Sequence, residues 1–132
     1  MYNIPITRYC GDVAFIMAIP VAAIPPDVRE RRRAGLPVYI AGPWERLYTT
    51  GENKVEWEMN FPQTAEDCVT VEVSLLPLQR VPKGKALAVV TAGGETFLIG
   101  DRFTVPEYSV KCTDGRAQMT VKSYCMPLKI YI

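Results

Sequence analysis

Residues 54–61, KVEWEMNF, alternate without a break: Val55, Trp57, Met59 and Phe61 are apolar, while Lys54, Glu56, Glu58 and Asn60 are polar. Successive side chains on a strand point to opposite faces, so this order loads one face with apolar groups and leaves the other wet. Residues 68–76, CVTVEVSLL, repeat it, with Val69, Val71, Val73 and Leu75 on the dry face and Thr70, Glu72 and Ser74 on the wet one. The turn-forming run PQTAED between them predicts an antiparallel hairpin over residues 55–75. A fully buried large side chain on its dry face contributes about 1.5–3 kcal/mol. A chain that begins from such a hairpin must find a second apolar surface to cover it.

Residues 86–100 predict a second hairpin, in which ALAVV and TFLIG flank TAGGE. Gly93 and Gly94 suit the positive φ values of a tight primed turn. Here Val90, Phe97 and Ile99, and also Val89 and Leu98, leave neither face polar. Such a pair must be covered on both sides or sit centrally in a closed sheet, and it is expected at the centre. Shorter strands are expected at residues 13–19 (VAFIMAI), 38–41 (VYIA), 46–50 (RLYTT), 108–112 (YSVKC) and 118–125 (QMTVKSYC), with TDGR turning between the last two and KIYI closing the sheet. Eleven prolines argue against long helices. One short helix is expected near residues 26–34, entered at Pro25 and Pro26, with Asp27 near its positive end and stopped by Gly35. The expected fold is a single all-β domain over residues 1–132, an antiparallel sandwich or a partly closed barrel.

Composition narrows the chemistry. The 132 residues carry a net charge of +1 and no histidine. Histidine triads, histidine metal sites and the commonest neutral-pH base are therefore excluded. Cys10, Cys68, Cys112 and Cys125 form no C-x-x-C pair, which argues against structural zinc and favours four small core hydrophobes. The apolar run VAFIMAIPVAAIPP is too short to span a bilayer. MYNIPITRYCGD lacks the layout of a signal peptide. These features lead us to expect a soluble, cytoplasmic protein with reduced thiols and no membrane partner. The side-by-side Glu66 and Asp67 read as solvated loop carboxylates, and KGKALA is not a phosphate-binding loop. The chain thus presents no candidate catalytic, cofactor-binding or metal-ligating residue.

The most pointed stretch is PPDVRERRRAG, which holds Arg29, Arg31, Arg32 and Arg33 within five positions. Cations at a helix C-terminus complement its dipole, which is reason enough for a solvated turn. Asp27 and Glu30 are interleaved and no aromatic residue is available to stack on bases, so nucleic acid is disfavoured relative to a carboxylate-bearing protein. Trp44, in the loop AGPWERL, is either a core anchor or an interface hot spot. These five residues are the candidate interaction surface. A rival reading, a small-molecule or carbohydrate-binding barrel, would use Tyr39, Tyr48 and Trp44 to line its interior.

GDVAFIMAIPVAAIPPD, followed later by VPKGKALAVVTAGGETFLIGDRFTVPEYSV, gives a strand order that resembles small β-rich proteins of prophage virion-morphogenesis regions in gut anaerobes. In both, a Gly-led apolar strand runs into a proline turn. An amphipathic hairpin and a short basic passage follow, then a glycine-turn hairpin. The arginine-rich segment has no counterpart in that layout, and KCTDGRAQ is shorter than it suggests. The resemblance implies a non-enzymatic, self-associating structural component, partnered by its own copies or by another virion-type protein. Such a component would be cytoplasmic or incorporated in a phage-like particle.

Overall fold

The computed structural model describes residues 4–61, 69–76, 79–114, 116–124 and 127–132. Strand β1 (Ile4–Pro20) leads into a 3-10 turn at Val21–Ala23 and a helix, α1 (Val28–Arg33). Strands β2 (Glu45–Leu47), β3 (Thr49–Phe61), β4 (Val69–Leu75), β5 (Lys85–Thr91), β6 (Thr96–Ile99), β7 (Glu107–Thr113), β8 (Arg116–Ser123) and β9 (Leu128–Lys129) follow. They form one antiparallel sheet in the order β7-β8-β4-β3-β1-β5-β6-β9, with β2 also paired to β1. The sheet curls into a half-barrel. Of the two all-β architectures expected, the partly closed barrel is the one that forms, with its short helix inside residues 26–34.

Alternation sets the middle of this sheet. Val55 lies opposite Val71 and Trp57 opposite Val69 in the β3–β4 pair, and all four are buried with Val73 and Leu75. Glu56 and Glu72, on the other face, are exposed. The side chains of Met59 and Phe61 and the connecting residues 62–68, with Glu66, Asp67 and Cys68, lie outside the described residues.

The β5–β6 pair has two dry faces because it is covered on both. Leu87, Val89, Phe97 and Ile99 enter the concave core with Val55, Val71 and Met119. Phe97 meets Trp57 edge-on across that core, ring centroids 5.0 Å apart. Ala86 and Leu98 point outward into a second core built from Ile19, Ile24, Val28, Val38, Ile40, Leu128 and Ile130. Two expectations are corrected here. The pair lies toward one end of the sheet, not at its centre, and Val89 rather than Val90 shares a face with Phe97 and Ile99. Its turn is also not a two-residue primed one. Gly94 alone of the two glycines has positive φ, 87°, and Thr91 closes a longer loop by accepting from Gly94 N and donating to Glu95 O.

β1 is the larger surprise, because it starts at Ile4 rather than near residue 13. Its first half pairs with β3, from Ile4 opposite Phe61 to Asp12 opposite Lys54. Its second half pairs with β5, from Val13 opposite Thr91 to Pro20 opposite Lys85. Residues 38–41, expected as a strand, contribute only a parallel bridge between Tyr39 and Tyr131 among the described residues. Cys10 and Cys112 are exposed and free, against the expectation of core thiols. The reason is register: Cys10 lies opposite the exposed Glu56 on the wet face, and Cys112 lies on β7 at the end of the strand order. Cys125 is outside the described residues.

The curl brings β7 back over β5. Tyr108 packs against the concave core and its hydroxyl donates to the Lys85 carbonyl at 2.7 Å. Burial pushes the phenol above its ordinary range, so it remains a donor at any ordinary pH. Tyr108→Phe removes this hydrogen bond and is expected to lower stability by about 1 kcal/mol in a urea titration.

Candidate binding cleft at the arginine turn

Helix α1 ends through backbone geometry that its sequence supplies. Gly35 has φ 82°, which lets Leu36 N reach Arg31 O and Gly35 N reach Arg32 O, both at 3.0 Å. This closes the last turn in the paired pattern typical of a glycine stop. At the other end Asp27 makes no side-chain cap. Its Oδ2 instead accepts from Arg31 Nε at 3.0 Å, one turn along the exposed surface. Val28 is the buried residue of the helix and seats it on the second core.

The four arginines therefore do not form one basic face. Arg29 turns inward, and its Nε donates to Asp101 Oδ2 at 2.6 Å. Arg31 is occupied by Asp27, while Arg32 and Arg33 are exposed. Trp44 stands apart from them. It is half-buried against the second core, and its Nε1 donates to the Ile40 carbonyl at 2.9 Å, so its polar atom is spent inside its own loop.

The residues that complete the cleft come from the far end of the chain. Asp101 Oδ1 accepts from Phe103 N at 2.8 Å and Thr104 N at 2.9 Å, and Asp101 N donates to Thr104 O. Burial alone would raise its pKa. The hydrogen bond from Arg29, the Phe103 amide, the Arg29 charge and the Thr104 amide together outweigh burial and hold the carboxyl below its ordinary value. Arg102 reaches the opposite way: its Nε donates to Ile24 O at 2.8 Å and its Nη2 to Ala22 O at 2.7 Å. The 101–104 turn is thus tied both to α1 and to the segment before it. Phe103, at the tip, is 79% exposed.

Pro25, Pro26, Val28, Arg29, Glu30 and Arg33 on one side and Asp101, Arg102 and Phe103 on the other enclose a cleft of about 200 Å³. Asp101, Arg102 and Phe103 went unread in the sequence, although the order G-D-x-x-T after a strand carries the signal of an aspartate bonding its own following amides. Tyr39 and Tyr48 do not converge with Trp44 on a barrel interior. Both are exposed: Tyr39 lies 5.2 Å from the Tyr131 ring, and Tyr48 sits under the Arg46 guanidinium, which also covers Phe15 at 4.6 Å. Among the described residues no cluster of His, Cys, Asp or Glu could hold a metal ion, and no helix is long and apolar enough to cross a membrane. No family model matches the chain, and no curated protein or solved structure matches it either.

Proposed function

We propose that this chain is a non-enzymatic interaction protein that associates with further copies through a sheet edge, in the manner of a virion or tail component of a phage-like element. The observation that carries this reading is β7. Among the described residues it pairs with β8 alone, and Val110 and Cys112 are exposed on the face it shares with Tyr108. A strand with one side open offers a row of backbone donors and acceptors to another chain, and a closed assembly is how such an edge is satisfied. Glu107 and Lys111 on the same strand favour a partner whose charges alternate as its own do. The resemblance of the sequence layout to small β-rich prophage virion proteins points the same way.

Sedimentation velocity under reducing conditions tests it. The wild-type chain is expected to show concentration-dependent oligomers. Val110→Lys, which places a charge at the exposed edge, is expected to remain monomeric with an unchanged circular dichroism spectrum. A wild-type chain that stays monomeric at high concentration overturns the proposal.

A further inference from the structure

We propose that the cleft between α1 and the 101–104 turn is a docking site for a partner protein's acidic peptide segment, one that carries Asp or Glu beside an apolar side chain. This surface does not include β7, and the proposal stands or falls separately from self-association.

Three observations converge on it. The first is charge: residues 25–33 and 101–103 hold five arginines and three carboxylates, a local excess in a chain whose net charge is +1. One of the carboxylates, Asp101, is buried and already bonded to Arg29 and two amides. The second is preorganisation. Arg102 is fixed by two carbonyls through Nε and Nη2, which leaves Nη1 directed by a guanidinium that no longer moves freely. Ligand binding there does not have to immobilise a long side chain, which lowers the ordering cost of association. The third is Phe103, an exposed ring on a turn held by Asp101. Aromatic and arginine side chains are enriched at protein interfaces.

Size and sign select the occupant. A volume of about 200 Å³ takes one or two side chains, not a nucleic acid strand. Glu30 on the wall and Asp27 nearby oppose a run of phosphates. A single carboxylate can bond the free guanidinium N–H groups of Arg33 or Arg102 while a neighbouring apolar group packs on Phe103, Pro25 and Pro26.

Selection from a random dodecapeptide phage library on the immobilised full chain tests this. Enriched peptides are expected to carry Asp or Glu next to an aliphatic or aromatic residue. Labelled synthetic copies are expected to lose about ten-fold or more in affinity on Phe103→Ala and on Arg33→Glu, and likewise when their own carboxylates become amides. Both substituted residues are exposed, and melting curves check that each variant folds. Three outcomes overturn the proposal: no enrichment, enriched peptides without carboxylates, or unchanged binding to the variants. If a labelled 12-nucleotide single strand binds with the same Arg33 dependence while peptides do not, the site belongs to nucleic acid and the proposal falls. Peptide binding by a chain that is strictly monomeric would remove the edge-assembly reading and leave this one intact.

Discussion

Replacing Asp101 by alanine is expected to lower the unfolding free energy by about 2–4 kcal/mol, because it removes a buried carboxylate that accepts from the Arg29 guanidinium and from two backbone amides. The Asp101 side chain is 6% exposed and that of Arg29 28%. The same substitution leaves the Phe103 and Thr104 amides without their acceptor, so the 101–104 turn should loosen together with α1. Asp101→Asn keeps the shape and one acceptor oxygen but not the charge, and should fall between wild type and alanine.

The pH dependence follows from the lowered pKa of Asp101. Its folded value lies below the unfolded one of about 3.9. The group therefore contributes its full stability above that unfolded value and loses it as pH falls through the folded value. The gap between wild type and Asp101→Asn should hold constant near neutrality and narrow below about pH 4. Urea titrations of both proteins across that range read this directly. Equal midpoints at pH 7 would mean the pair contributes nothing.

The second large effect concerns Leu98. Leu98→Ala is expected to cost about 2–5 kcal/mol, as much as Leu87→Ala, although the two side chains point to opposite faces of the β5–β6 pair. Both are 0% exposed. On an ordinary half-wet sheet one of them would be nearly neutral. Glu72→Ala, on the wet face of β4, supplies that contrast and should stay within about 0.5 kcal/mol of wild type. A Leu98→Ala variant as stable as Glu72→Ala would mean that α1 and the chain around Val38 and Ile130 do not cover the sheet.

How much of this was legible varied with the range of the interaction. Alternation over residues 54–75 told which side chains face inward, and it could do so because the period of a strand is a local property. The apolar faces of residues 86–100 likewise demanded a second cover before any element was assigned to it. The first half of β1 escaped notice because IPITRYCGD does not alternate cleanly: it pairs along a face where Cys10 and Asp12 meet solvent. The arginine turn was visible as composition, but its geometry was not. Arg29 finds Asp101 from 72 positions away, and nothing in PPDVRERRRAG distinguishes the residue that turns inward from those that stay in water. The loop role of Trp44 was open in the sequence for the same reason, since its acceptor is a backbone carbonyl that any residue could have provided.

The long first strand has a kinetic consequence. Because β1 must meet β3 along one half and β5 along the other, its hydrogen bonding is completed only after Lys85 and Thr91 have emerged and returned to it. Contacts this distant along the chain must absorb their loop-closure entropy before they repay it, which places folding toward the millisecond-to-second end of single-domain behaviour. On the ribosome, the β1 ribbon would wait, half-paired, until β5 had emerged.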